Sequence, residues 1–357
     1  MSKKCSFLYG TLAVVLGIAT SGSMVGSVYA TDYSGSETID LSADITDGII
    51  IKSGANITLN LNGHTISTTE SEDTIYVENG ATLTISGDGE ITNIAGKANI
   101  FNNGTVTING GKITHAGSYY AILNHGEMII EDATVTSTSE GNSMVVNGYY
   151  NYTSTDERIG YVEGKGIANP TMTINGGTFT GDIKNCIYKG DDGSINNISG
   201  GTFSGAAACV LQNVNEMTIS GGDFTNNNSG YPVINNQYYD DEIDKGVVTI
   251  EGGNFTSADE NSPLFENGDN STIEISGGSY SLEPDEEFIV DGIGFNQQDN
   301  NRWEIDAPEE PETLPTVTEE QNPATADDIL TTAGILATLM LGLLAIIGAL
   351  GFNKRRA

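Results

Sequence analysis

Apolar residues in the middle of this chain fall in short runs that alternate with polar ones. The runs recur about every 21–25 residues, with two longer intervals. The phrase TVTINGGKIT at 105–114 returns as TMTINGGTFT at 171–180, MTISGGDFT at 217–225, VTIEGGNFT at 248–256 and IEISGGSYS at 273–281. Its apolar anchor falls at Leu61, Ile85, Ile108, Ile130, Ile174, Ile198, Ile219, Ile250 and Ile275, in steps of 24, 23, 22, 44, 24, 21, 31 and 25. A second column follows five or six residues later at Ile66, Ile91, Ile113, Val135, Phe179, Phe203, Phe224, Phe255 and Tyr280. A third lies around Ile75, Ile100, Ile122, Val145, Ile187, Val210, Val233, Leu264 and Ile289. Three alternating segments per unit predict three strands per turn, because a strand with one buried face alternates with period two.

Thr82 and Thr84 flank Leu83 and Ile85, so threonine is expected to face out and the aliphatic residues in. Gly-Gly between the first strand and the second lets the chain bend tightly with positive φ. Coils stacked about 4.8 Å apart satisfy one another's backbone hydrogen bonds and bury continuous columns of Ile and Phe. The expected fold is all-β, a three-sheet parallel β-helix of about nine or ten coils and on the order of 45 Å long. The general preference of parallel connections makes it right-handed. Residues 40–51 and 294–303 are expected to cap the open strand edges, with Trp303, the only tryptophan, as a lid on the last coil. Cys186 and Cys209, 23 positions apart, are expected in one column as stacked, buried residues, a disulfide being the alternative.

Both ends depart from the repeat. Lys3 and Lys4 precede an apolar stretch from Phe7 to Ile18, and Val28-Tyr29-Ala30 supplies small residues where signal peptidase reads, so residues 1–30 read as a secretory signal peptide cut after Ala30. Residues 329–352 carry no charge over 24 positions. At 1.5 Å per residue they are long enough for a transmembrane helix across roughly 30 Å of hydrocarbon. Lys354-Arg355-Arg356 then belongs on the cytoplasmic side. Pro308, Pro311 and Pro315 among Glu and Thr make 304–321 an extended, charged spacer.

Just outside the apolar span lies Asn322-Pro323-Ala324-Thr325-Ala326. This motif, the span and the basic stop, in that order, resemble the cell-wall sorting signal of Gram-positive surface proteins. The form is NPxT-type, with Asn322 and Ala326 where LPxTG has leucine and glycine. The resemblance implies that a sortase cuts after Thr325 and links it to peptidoglycan; a plain single-span anchor is the alternative. LNLNGHTI at 59–66 and the repeated TISGG likewise resemble the pectate-lyase-like β-helix superfamily, and repeat-bearing bacterial surface proteins within it, over residues 37–303. That resemblance implies a fold more than an activity, since one fold hosts many functions. The organisation expected is a signal peptide at 1–30, one solenoid at 31–303, a spacer at 304–321 and the sorting signal at 322–357.

Charge narrows the partners. The 357 residues hold 14 Lys and Arg against 48 Asp and Glu, a formal net charge of -34. Nucleic acid is excluded as a partner, because phosphate binding needs clustered cations. Three cysteines exclude a disulfide-dense scaffold and a multi-cysteine zinc module. His64, His115 and His125 share no repeat position, so no metal centre and no cofactor is expected. Acidic loops leave only loose calcium coordination open, without EF-hand spacing.

The two long intervals locate the candidate site. Residues 149–169 are inserted after a third-column strand, and 237–245 are inserted at the same corner, three coils or about 14 Å away. Lys189-Gly190-Asp191-Asp192 lies on that corner between them. Together these segments bring Tyr149, Tyr150, Tyr152, Tyr161, Tyr188, Tyr238 and Tyr239 to one edge with Asp156, Arg158, Asp191, Asp192, Asp240, Asp241 and Glu242. Insertions on one face of a solenoid commonly build its binding face, and rings beside carboxylates suit a sugar, which offers a face to stack on and hydroxyls to bond. The competing reading is solvated, tolerated loops.

Catalysis is tested against the chemistry it would need. A lyase needs calcium-binding carboxylates and a base beside a uronate, and Arg158 and Arg302 are the only arginines between signal and tail. A polygalacturonase-like hydrolase needs carboxylates, a His and a basic pair on one face; Gly190-Asp191-Asp192 and Asn124-His125-Gly126 echo fragments of that set. Outward Thr-x-Thr pairs at 82/84, 105/107 and 171/173 admit an ice-binding reading, but Glu127, Ile129 and Glu216 interrupt them. The function expected is a surface-anchored adhesin or carbohydrate-binding module without catalysis. Its partners are sortase, peptidoglycan and glycans or other molecules on host or neighbouring cells. The alternative is a polysaccharide lyase or glycoside hydrolase on the same fold.

Overall fold

A computed structural model describes residues 31–305, apart from 69–70, 95–96, 138–142, 186–194, 206–207 and 241–243. Side chains are described for all of these but 182–185, 195–196, 238–240 and 244–245. Residues 1–30 and 306–357, on which the expected signal peptide, sorting signal and membrane span and most of the expected spacer fall, lie outside the described residues. No helix among the described residues is long and apolar enough to cross a membrane.

The described chain is a β-solenoid of about 9 turns, built from three parallel sheets. In the first sheet Ile57 and Leu59 lie in register with Leu83 and Ile85, then with Val106 and Ile108, and so on to Ile273 and Ile275. All of these are buried. The residues between them face out as the alternation predicts, Thr58 pairing with Thr84 and Thr84 with Thr107. In the second sheet Ile66, Ile91, Ile113 and Val135 give way to Phe179, Phe203, Phe224, Phe255 and Tyr280. Coil spacing forces those five rings into one column, with centroids 4.8–5.2 Å apart and planes within 10°. Each ring pair adds about 0.5–1.5 kcal/mol beyond its buried area.

The Gly-Gly corner joins the two sheets. Gly222 and Gly253 both hold φ 106, a region that disfavours any residue with a Cβ. A Cβ on the preceding Gly221 would stand 2.3 Å from the Ser199 carbonyl oxygen of the coil below. The pair is therefore set by conformation at one position and by the close approach of coils at the other. Two coils cross this corner as single strands, Thr105–His115 and Glu127–Ser137, with a shift of register at the bend.

The third sheet is held by an asparagine ladder as well as by its backbone. Asn102 Nδ2 donates to Asn124 Oδ1 at 2.7 Å, and Asn124 Nδ2 to Asn147 Oδ1 at 2.6 Å. Further along, Asn213 donates to Asn236 and Asn236 to Asn267, each at 2.8 Å. The same amides close the turn that follows: Asn102 Oδ1 accepts from Gly104 N at 2.9 Å and Asn124 Nδ2 reaches Thr171 O at 2.9 Å. A buried amide is costly unless its polar atoms find partners; stacking at one register position supplies them for Asn102, Asn124, Asn213 and Asn236.

Several expected register positions are corrected. Leu59, not Leu61, pairs with Ile85; Leu61 is buried at the corner instead. In the third sheet Val145 pairs with Ile183 rather than with Ile187, and Leu211, Ile234 and Phe265 occupy the places expected of Val210, Val233 and Leu264. Ile289 forms a parallel bridge with Ile275 of the first sheet. Residues 40–51 are not a cap, because coiling already begins at Thr31–Tyr33, which pairs with Ile49–Ile51, and Ser36–Asp40, which pairs with Asn56–Asn60. Cys209 is buried, and Cys186 falls outside the described residues.

At the far end the chain reverses. Trp303–Ile305 runs antiparallel to both Ser279–Tyr280 and Phe295–Gln297, so Glu304 and Ile305 belong to this hairpin rather than to the spacer. Trp303 packs partly buried against the core. Arg302 ties the hairpin down through Ser279 Oγ at 2.7 Å, Ser279 O at 2.8 Å and Phe255 O at 3.2 Å.

Candidate ligand-binding cleft

One row of side chains explains where the insertion goes. The residues facing outward at the centre of the third sheet run in register as Asp32, Ile50, Tyr76, Phe101, Leu123 and Val146, and further along as Gln212, Asn235 and Glu266. The row is polar in the later coils and apolar from Ile50 to Val146. Water would meet Phe101, Leu123 and Val146 unless something covered them, and all three are buried. Together with Ala98 they form a second small core, against which Tyr76, Tyr119, Tyr120 and Tyr152 pack.

The cover is residues 149–169, which fold back over the sheet toward the N-terminal coils. Tyr149 is 1% exposed, with its ring 4.2 Å from that of His125 and its hydroxyl donating to Ile167 O at 2.8 Å. Tyr152 and Tyr161 stack at 5.2 Å. Arg158 reaches Asp73, whose carboxylate is 0% exposed, through Nη1 to Oδ1 at 3.1 Å and a second, shorter bond from Nη2 to Oδ2. Its guanidinium also lies 4.9 Å from the centre of the Phe101 ring. Burial opposes charge on Arg158, but the Asp73 carboxylate outweighs it and raises the pKa. Asn79 Nδ2 donates to Gly166 O at 3.3 Å and fixes the far side of the loop.

For Tyr149 and Arg158 the expected placement on an open face is corrected by these contacts. Tyr149 and Arg158 lie inside the cover, and of the tyrosines in 149–169 only Tyr150 is largely exposed, at 51%. Asp156 works within the loop, accepting from Arg158 N at 3.0 Å. Residues Tyr238–Asp240, which contain the candidates Tyr238, Tyr239 and Asp240, pair antiparallel with Asp244–Lys245. Tyr188, Asp191, Asp192 and Asp241 fall outside the described residues. The first insertion turns toward Asp73 and Asn79, away from the coil that carries the second.

Folding the insertion back creates a cleft of about 350 Å³ at its N-terminal margin, over Ile50 and Tyr76. Its walls are Asp32, Lys52 and Glu72 from the coils, with Glu157, Arg158 and Lys165 from the loop. Lys52 Nζ donates to Glu78 Oε1 at 3.2 Å and lies 3.5 Å from Asp32. Burial works against the charge on Glu78, yet the Ser53 N–H and Lys52 hold its carboxyl below the usual range. Lys165 pairs with Glu157 at 3.4 Å. Burial pushes the Tyr76 hydroxyl upward, so Tyr76 remains a neutral phenol, and the hydroxyl accepts from Asn103 Nδ2 at 3.2 Å. None of the wall residues except Arg158 was singled out by the insertion pattern. Their signal was the apolar outward row, which marks both the covered strip and its edge.

A trench of about 600 Å³ follows the glycine corner past Gly63, Gly87, Gly89, Gly110 and Gly111, and no aromatic side chain lines it. The outward Thr row is broken by Ile129, Asn197 and Glu274. Among the described residues no group of three or more His, Cys, Asp or Glu is placed to hold a metal ion. His64 Nδ1 lies 3.3 Å from Asp44, His115 bonds Asn99 and Tyr119 N, and His125 lies beneath Tyr149. Comparison with protein-family models, with curated protein sequences and with solved structures finds no match.

Proposed function

We propose that this chain is an exported surface protein, anchored at its C-terminus by sortase-type processing at Thr325, whose parallel β-helix binds carbohydrate without catalysing its breakdown. A right-handed, pectate-lyase-like coil belongs to the same reading. One observation carries it. The large insertion is welded to the outer face of a sheet by a buried ion pair and an aromatic core, and its edge forms a concave, ring-floored cleft with donors and acceptors on both walls. Ligand sites are concavities in which polar groups converge; here six of the eight lining residues are charged and Tyr76 supplies the ring.

The disposition of arginine weighs against the lyase alternative. Arg158 is engaged with Asp73 and Arg302 with Ser279 and Phe255, so each has a structural role that opposes its use as a base or a substrate clamp. The test has two arms. Incubating the full chain with polysaccharides should release no reducing ends or unsaturated products, while the chain is retained on at least one immobilised glycan. Depolymerisation by the full chain overturns the non-catalytic reading. For anchoring, Thr325→Ala should shift the protein from the purified wall fraction to membrane or medium; unchanged wall attachment overturns the sorting reading.

A further inference from the structure

Resting on the carbohydrate-binding reading, we infer that the cleft over Tyr76 is the binding site and that its ligand is an uncharged hexose unit of a neutral glycan. Charge is the first argument. The lining offers three acids, Asp32, Glu72 and Glu157, and three bases, Lys52, Arg158 and Lys165. Adding Asp73 and Glu78, which back Arg158 and Lys52, gives 3 - 5 = -2. An anionic ligand, whether uronate, sulfate ester or phosphate, meets a net negative site on a chain of -34 and is repelled.

Hydrogen-bonding chemistry is the second argument. A hexose presents adjacent hydroxyls, each able to donate and accept. The cleft offers ammonium donors on opposite walls, Lys52 on the coil side and Lys165 on the loop side, interleaved with carboxylate acceptors. Lys165 is 54% exposed and Asp32 55%, so both can turn to a ligand without leaving a buried charge unpaired. Bonds with one charged partner are the stronger kind. Between the walls lies Tyr76, half-buried and edge-on to Phe101 at 5.3 Å. Its placement is set from behind by that ring, which leaves a preorganised apolar surface for the C–H face of a sugar.

The measurement is binding of the full chain to an array of neutral gluco-, galacto- and manno-oligosaccharides printed beside uronate-bearing and sulfated ones. Tyr76→Ala and, as an exposed loop change far less able to disturb folding, Lys165→Glu are run in parallel, with Tyr76→Phe as the conservative control and thermal melts to verify the solenoid. Expected are signals confined to neutral glycans, a loss of tenfold or more in both Tyr76→Ala and Lys165→Glu, and retention in Tyr76→Phe. Neutral-glycan binding that both variants keep, or binding confined to anionic glycans, overturns the assignment of site and ligand while leaving carbohydrate binding standing. Silence of the unaltered chain on every glycan overturns the carbohydrate reading itself and this inference with it.

Discussion

Replacing Arg158 with alanine tests how the insertion is held to the solenoid. In the intact protein the guanidinium forms a two-pronged bond with a carboxylate that has no exposure to water. Removing it leaves Asp73 with the Ala98 N–H at 3.0 Å as its remaining described donor. Breaking a buried pair from one side costs about 3–5 kcal/mol, and losing the cation over Phe101 adds up to about 1–2 kcal/mol, not fully additively. The loss should be local, because each coil of a solenoid leans mainly on its neighbours. Hydrogen exchange of R158A should therefore show protection of residues 149–169 lowered by about a hundredfold or more, at 1.4 kcal/mol per tenfold. The strands carrying Phe203 and Phe224 should keep their protection. Adding Asp73→Asn to R158A removes the stranded charge and should restore part of the loss in a urea titration. A variant R158A within about 1 kcal/mol of the parent, with loop protection unchanged, would refute the buried-latch account.

Other perturbations have equally definite outcomes. Phe203→Ala opens a hole in the middle of the ring column and should cost about 3–5 kcal/mol in denaturant titration, whereas Phe203→Leu should cost less than half of that. Asn124→Ala strands donors and acceptors on Asn102, Asn147 and the adjoining turn, and should cost about 2–3 kcal/mol by the same measurement. His125 is fully buried, and burial pushes its pKa down to about 3 although carbonyls of Glu157 and Gly148 stand nearby. The unfolded chain takes up this proton first, near pH 6.5, so the neutral imidazole's contribution is full above that pH and falls progressively toward pH 3. The loss is about 2 kcal/mol by pH 5. His125→Phe should flatten stability between pH 6.5 and 5 relative to the parent, and an equal slope in both would contradict the buried neutral imidazole; His115, lowered by burial too, contributes equally to each.

The first and second columns were legible in the coils that carry Gly-Gly, and the one misplaced position, Leu61 for Leu59, lies in a coil without it. Ile before Gly-Gly fixes the first, and Phe after it fixes the second. The third column was blurred because Val210-Leu211, Val233-Ile234 and Leu264-Phe265 are adjacent apolar pairs, and period-two alternation cannot choose between neighbours when both are buried in the core. The asparagine two residues after each true position, at Asn102, Asn124, Asn147, Asn185, Asn213, Asn236 and Asn267, would have set the phase. The insertion's position was legible from the interval of 44; its direction was not. A tyrosine-rich loop reads equally as an open binding face and as a cover. What decides is the outward row at Tyr76, Phe101, Leu123 and Val146, which is apolar where a solvated sheet would be polar. The first coil was not legible because Thr31–Tyr33 and Ser36–Asp40 lack the Gly-Gly corner that marks later units.

If a cover fixed to the third sheet builds a site for a neutral sugar, the sugar must be found in the cleft over Tyr76. A crystal structure of the chain with a neutral oligosaccharide that it retains on an array tests this most directly. Expected is a hexose ring lying against Tyr76, with its hydroxyls between Lys52 and Lys165 and Arg158 still on Asp73. A sugar seated elsewhere on the solenoid, with the cleft empty, would contradict it.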